Sequence, residues 1–365
     1  MKRREFFKTA SALTVGAAAS TALAAPAIAQ GNITWRMVTT WPKNFPGLGV
    51  GAQRLGDRIT AASGGRLTVQ VYSAGELVPA LQSLDAVIDG NAEMSHGAAY
   101  YWQNKSPALS FFTGVPYGMT SRELAAWVRY LGGQEQWDKI YDQFGVQGFL
   151  SGDTGTQAGG WFRNELTGVS DVQGLRFRTP GLGGRVWEKL GASVVNLAAG
   201  DIFAALQSGT LDAAEFVGPY NDLALGFHQI AKNYYFPSFI EPGLATELVV
   251  SKSKYQELPE DLQAVIRDVA QAEYDQVASD FYANDPRALA TLVDEHGVNV
   301  LRFPDEILEA GANAAKEILG ELRDSSDALT KETTESFISA LNLVRTRTEG
   351  TDMPFLVARE KYFSI

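Results

Sequence analysis

Two arginines two residues apart, Arg176 and Arg178, stand in the stretch LRFRTPGLGG (175–184), just ahead of Pro180 and three glycines, in a chain of formal net charge −11. A guanidinium offers two parallel donors to the two oxygens of a carboxylate and keeps its charge when desolvated. The chemistry on offer is therefore capture of a small anion. Strand alternation puts both arginines on one side, so periodicity alone does not separate them. Arg178 is nearer the turn, and the end of a strand in an open α/β sheet is where ligand crevices form. Arg176 reads as a solvated edge residue. Two further stretches carry oxygen donors, DTGTQAGG (153–160) with Gln157 and AAEFVGP (213–219) with Glu215. Taken by themselves, Gln157 reads as a loop amide and Glu215 as a strand-end charge.

Other chemistries are poorly supplied. His96, His228 and His296 lie far apart and lack metal-ligand spacing, so they read as ordinary core or surface histidines. There is no cysteine, which excludes a thiol nucleophile, disulfides and a lipidated N-terminal cysteine. No G-x-S-x-G elbow occurs. The DTG at Asp153–Gly155 has no second copy to share a proton and reads as a turn. In GLGG the third glycine of a dinucleotide fingerprint is Val186, and Pro180 interrupts the approach. The acidic balance argues against a nucleic-acid partner, which needs a basic face.

The N-terminus MKRREFFKTA, followed by an Ala-rich run and AAPAIAQ, reads as a twin-arginine export signal cleaved after Ala29, or alternatively after Ala24. Its loss removes four cations against one acid, so the mature chain is more acidic still. Roughly 335 residues remain, enough for two lobes.

The elements that must position these side chains follow from periodicity. ITWRMVTTWP and RLTVQVYSAG read as strands, and GVGAQRLGDRITAASGG and PALQSLDAVIDGN as helices, the grammar of a parallel sheet. LRFRT, GGRVWEKLG, ASVVNLA, DIFAALQSG (capped by Asp201) and LDAAEFV repeat that unit within 45 or so residues, placing a second αβ lobe near 154–245. TELVVSKSKYQEL predicts a return strand. The segment 259–285 predicts a long helix with Leu262, Val265, Ile266 and Val269 on one stripe. GVNVLRFP reads as a strand, then helices run on, the last with Phe337, Ala340, Leu341 and Val344 on one face. No window after the leader has the apolar length of a membrane span.

Together the leader, YSAGELVPALQSLDAVIDGNAEMSHGAAYYW (72–102) and the block from Gly174 to Asp222 resemble the periplasmic solute-binding proteins of TRAP transporters, nearest the subgroup of receptors for 2-oxo acids. The resemblance covers essentially the whole mature chain. It implies an α/β, two-lobed periplasmic binding protein of clamp type, with an interdomain cleft, a long lobe-spanning helix and a C-terminal helical extension. Residues 1–29 are then the leader, 30–153 with about 246–300 the first lobe, 154–245 with about 301–325 the second, and about 326–365 the extension.

The resemblance further implies that Arg178 grips the carboxylate of a pyruvate-, 2-oxobutyrate- or lactate-like acid. Na⁺ or Ca²⁺ would bridge receptor and acid, held by side-chain oxygens of Gln157 and Glu215 and the backbone carbonyl of Phe216, all hard donors suited to such ions. Close relatives can carry Trp at this position, which keeps the carbonyl and alters the pocket wall. Tyr100 and Tyr101 would reach the cleft if they leave strand geometry, and Glu241, Trp41 and Phe45 are further cleft candidates. The chain would be a non-catalytic carrier that docks on TRAP permease subunits and can form a homodimer through its C-terminal helix. The competing readings are an exported cofactor-dependent oxidoreductase and the binding protein of an ATP-driven importer.

Overall fold

Alternation in the first strand, β1 (Ile33–Thr39), buries Trp35, Met37 and Thr39 while Thr34 stays exposed. The computed structural model describes residues 32–363, so the leader assigned to residues 1–29 lies outside them. The chain continues through β2 (Leu67–Tyr72), β3 (Met94–Gly97) and β4 (Val146–Asp153). It then passes to a second sheet with β5 (Gly160–Phe162), β6 (Arg176–Arg178), β7 (Ser193–Val195), β8 (Ala213–Ala214) and β9 (Asn233–Phe236). It returns to the first sheet as β10 (Ala245–Ser251), and after the helix Glu260–Asp294 it rejoins the second as β11 (Asn299–Arg302). The strand orders are β2-β1-β3-β10-β4 and β11-β9-β5-β8-β6-β7. Three passages between sheets give two lobes joined by several connections.

Neither sheet is purely parallel, which corrects the strand-helix grammar read from the sequence. β1 runs parallel to β2 and β3, but β10 is antiparallel to β3 and β4, and β5 is antiparallel to β8 and β9. The reversed strands are the ones that enter from the other sheet, without a crossover helix to turn the chain round. Two local readings also change. The helix Ala199–Gln207 starts before Asp201, which sits in its first turn while Ala198 takes the cap position. The long helix continues through Pro286 to Asp294, a run of 35 residues and about 52 Å. Its buried stripe is Leu262, Ile266, Ala270, Tyr274, Val277 and Phe281, whereas Val265 and Val269 are only half-buried.

In the C-terminal helix Ala328–Arg347, Phe337 packs within its own chain, with ring centroids 5.0 Å from Phe111 and 5.3 Å from Trp127. Beyond it the helix Met353–Tyr362 leaves Phe355, Val357 and Tyr362 exposed. Among the described residues no helix is long and apolar enough to cross a membrane.

The centre of the first sheet holds one buried carboxyl. Glu247 on β10 accepts from Trp102 Nε1 at 2.7 Å and from the Tyr141 hydroxyl at 2.6 Å, and burial pushes it up to about 7. Because the folded value is raised, the fold binds this proton more tightly than the open chain does. The stability it adds is complete below the ordinary glutamate value of about 4.3 and is lost as pH rises through about 7. Between pH 8 and 5.5 that amounts to about 2 kcal/mol. Urea unfolding at the two pH values should show Glu247→Gln losing this part of the pH dependence. A variant with the wild-type slope would remove Glu247 as its source.

Candidate functional site

Strand β6 ends where Pro180 and the helix Gly181–Lys189 begin, and this junction separates the two arginines that alternation left equivalent. Arg176, at the outer end, is exposed and pairs with Asp212 through its Nε at 2.8 Å and its backbone N–H at 3.0 Å. Arg178, at the inner end, has 0 % exposure. Its Nε donates to Leu197 O at 3.0 Å and its Nη1 to Glu215 O at 2.6 Å, while the Glu215 carboxylate stands 3.8 Å away. The guanidinium lies over the Phe216 ring, 5.4 Å from its centroid. Its Nη2 is buried with no partner. A buried cation with an unanswered donor is costly unless an anion completes it.

Two backbone features make this approach possible. Strand β8 covers only Ala213–Ala214, shorter than the sequence reading, so Glu215 and Phe216 lie beyond the ladder and their carbonyls are free to turn inward. Gly181 has φ +62°, and a Cβ there would come within 2.5 Å of Tyr100 Cδ2. Only glycine lets the second lobe's backbone meet that ring of the first lobe. Gly181 therefore serves the packing of one lobe on the other.

Gln157, Glu215 and Phe216 converge. With its Oε1 turned inward, Gln157 faces Glu215 Oε1 at 2.9 Å and Phe216 O at 3.1 Å, while its Nε2 donates to Thr154 Oγ1 at 2.9 Å. Turned over, the amide nitrogen donates to those same two oxygens. Three oxygens around one point repel unless a cation lies among them, so the amide nitrogen satisfies Glu215 and Phe216 by itself, and the amide oxygen does so only together with a cation. The donor set, one carboxylate, one amide and one carbonyl, fits Na⁺ or Ca²⁺ and suits Zn²⁺ or Cu²⁺ poorly. Among the described residues there is no cluster of three or more His, Cys, Asp or Glu that could serve a metal instead.

Glu241 joins the site through its backbone, its carbonyl accepting from Gln157 N at 3.1 Å. Its Oε2 is buried without a partner. Burial, then the nearby Glu215 charge, holds Glu241 well above the usual carboxylate range, against the pull of Arg178. Burial likewise pushes Glu215 up to about 8, again opposed by Arg178. Two carboxyls and one guanidinium in a dry pocket cannot all be charged without a compensating ion.

Tyr100 and Tyr101 fall in the short 3₁₀ turn Ala99–Trp102, not in a strand, and their rings lie side by side, 4.8 Å apart. Burial raises both hydroxyls, Arg178 opposing in each case. Trp41 borders Tyr101 at 6.3 Å, and Phe45 meets Phe216 edge-on at 5.8 Å. Arg178, Gln157, Glu215, Phe216 and Glu241 are thus brought together, with Tyr100, Tyr101, Trp41 and Phe45 around them. Others were missed: Leu197 contributes only a carbonyl, and Thr179 donates to Glu215 Oε2 at 3.3 Å. Nothing in a residue type announces a backbone oxygen. His96 is a core histidine as read; its Nδ1 accepts from Trp41 Nε1 at 2.7 Å, and burial lowers it to about 3. Asp153 closes its turn by accepting from Gly155 N at 2.6 Å and also from the Tyr274 hydroxyl at 3.0 Å.

The model of the DctP family, described as bacterial extracellular solute-binding protein, family 7, matches residues 37–325. A monocarboxylate 2-oxoacid-binding periplasmic protein from a Nostoc species is 38 % identical over 341 residues, covering 92 % of this chain and 93 % of that one. A TRAP periplasmic solute-binding protein from Pseudoalteromonas atlantica, solved with bound sodium and pyruvate, superimposes with a TM-score of 0.87 at 36 % identity, over 92 % of this chain and 100 % of the other. A TRAP transporter solute-binding protein from Bordetella bronchiseptica has a TM-score of 0.87 at 31 % identity, over 90 % and 99 %. It is a dimer of mixed occupancy, with copurified calcium and picolinate in one site and the other site apo.

Proposed function

Since the chain belongs to the DctP family of bacterial extracellular solute-binding proteins, we propose that it is the periplasmic receptor of a TRAP transporter, binding a small 2-oxo or 2-hydroxy monocarboxylate of pyruvate size and delivering it to the membrane permease. The observation that carries this reading is the buried Arg178, its Nη2 unpartnered, beside the oxygen cluster of Gln157, Glu215 and Phe216. The ligands bound to the two solved relatives have one feature in common. Pyruvate and picolinate each carry a donor atom on the carbon next to the carboxylate, as a chelating acid must.

A bound Na⁺ or Ca²⁺ supplies positive charge able to chelate such a pair of atoms. The chain's own residues do the rest. Arg178 presents Nη2 to the carboxylate, held in aim by Leu197 O and Glu215 O. Tyr100 and Tyr101, from the other lobe, close over the acid with Phe216 as the opposite wall, and Glu241 Oε2, buried without a partner, offers a further contact. Contacts from both lobes favour the closed form, and that form is what a permease would read. No proton need move to a reaction partner, so the chain acts as a carrier, not a catalyst.

The oxidoreductase reading is disfavoured by packing in GLGG. A Cβ at Gly183 would meet Ile240 at 3.0 Å, and one at Gly184 would meet Thr179 O at 3.1 Å, so these glycines serve internal contacts. The receptor reading takes residues 1–29 as a twin-arginine leader, 30–153 with about 246–300 as the first lobe, and 154–245 with about 301–325 as the second. The exposed apolar tail, with Phe355 and Val357 on it, is where a second copy would pack; light scattering of the full chain against one ending at Arg347 tests that.

Calorimetric titration with pyruvate, 2-oxobutyrate, lactate and acetate, in sodium and in calcium buffers, tests the function. The 2-substituted acids should bind at least about a hundredfold more tightly than acetate, which lacks the second donor. Equal binding of acetate would remove the chelate.

A further inference from the structure

This inference deepens the receptor reading and rests on it. The helix Pro219–Leu225, which follows the oxygen cluster, is pinned to the second lobe by Asp222. That buried carboxylate accepts from Trp161 Nε1 on β5 at 2.9 Å and from the Tyr234 hydroxyl on β9 at 2.7 Å. One residue earlier, Asn221 reaches the other lobe. Its Nδ2 donates at 2.8 Å to the carbonyl of Pro46, in the loop that leaves the first sheet after β1. Asn221 is wholly buried, and its Oδ1 has no partner, so this bond is all that its carboxamide makes. Turning the amide over would set two oxygens face to face, so the donor orientation is fixed by its partner.

The receiving loop is stiff. Gly47, at φ +63°, brings it so close to the long helix that a Cβ would lie 2.6 Å from Phe281 Cε2. The same loop carries Phe45, whose ring meets Phe216. A braced segment of the first lobe therefore touches the second lobe at two points immediately beside the oxygen cluster.

We infer that Asn221 is a positioning residue that fastens the closed cleft: its bond to the Pro46 carbonyl, made between lobes, slows escape of the bound acid. When the lobes part, both groups are hydrated, so the bond contributes to the closed state alone and shifts the population toward it. Breaking it in the closed form leaves a buried carbonyl unanswered, worth about tenfold in the closed population. Association begins in the open form, where the bond is absent, so the effect falls on departure.

The test is stopped-flow tryptophan fluorescence with pyruvate, beside calorimetry, on the mature chain and on Asn221→Ala and Asn221→Asp. The aspartate keeps the shape while opposing a carboxylate oxygen to the carbonyl. Both variants should release pyruvate about tenfold faster with association within about twofold of wild type, and with ligand-free thermal midpoints little changed. Unchanged release in both variants, or a loss confined to association, overturns the latch. So does a fall in the ligand-free midpoint with release unaltered, the mark of a purely structural residue. If alanine fails to fold, the aspartate decides. A wild-type chain that binds none of the 2-oxo acids overturns the receptor reading and the latch with it, an outcome separate from wild-type binding with indifferent variants.

Discussion

Arg178→Ala is expected to lose about 2 to 5 kcal/mol of pyruvate binding, roughly 30- to 5,000-fold in affinity. The guanidinium is fully buried, and two of its donors are spent on Leu197 O and Glu215 O, leaving Nη2 for a ligand. Part of the loss comes from the acid, which would enter a dry pocket with its carboxylate unanswered. Another part comes from Glu215 and Glu241, deprived of the one cation side chain that opposes their burial. Arg178→Lys should recover only a fraction, because one ammonium cannot hold two diverging carbonyls and a carboxylate together. Calorimetry gives the affinity, and the pyruvate-induced rise in thermal midpoint gives an independent reading that should vanish in the alanine variant. Affinity within threefold or so of wild type would mean that another group carries the anion.

Glu215→Gln should weaken cation and acid together. The substitution keeps an oxygen near Gln157 and Phe216 O but removes the only formal negative charge among those three donors. Hard cations bind such sites largely through charge, so a loss of roughly tenfold or more in cation affinity is expected. If cation and acid share the site, the acid must lose affinity by the same factor at limiting cation, since coupling between two ligands is reciprocal. The measurement is a pyruvate titration in Na⁺ or Ca²⁺ against one in choline buffer with chelator. Wild type should fall to the level of the variant when the cation is withdrawn. Pyruvate affinity indifferent to the cation in both proteins would leave Glu215 a plain buried carboxyl.

Much of this site was legible from the chain. Arg178, Gln157, Glu215 and Phe216 stand in three stretches whose likeness to 2-oxo acid receptors implied one site, and the structure brings those stretches into contact. The antiparallel β10 and β5 were not legible, since a strand's direction depends on the side from which the chain arrives, and that path is a property of the whole fold. The length of the long helix past Pro286 was hidden for a related reason. Proline forfeits one hydrogen bond, which packing further along can offset.

Residue types and their order determined the class of molecule: a cysteine-free α/β chain of the solute-binding family, with an arginine and hard oxygen donors that we propose take an anion and a cation. Which arginine is buried, which oxygens surround the Gln157 amide and what Asn221 touches were decided only by tertiary structure. The reason is one of range. Composition and periodicity report on neighbours within a strand or a helical turn, whereas burial and orientation depend on atoms supplied by the opposite lobe, 175 positions away in the case of Asn221 and Pro46.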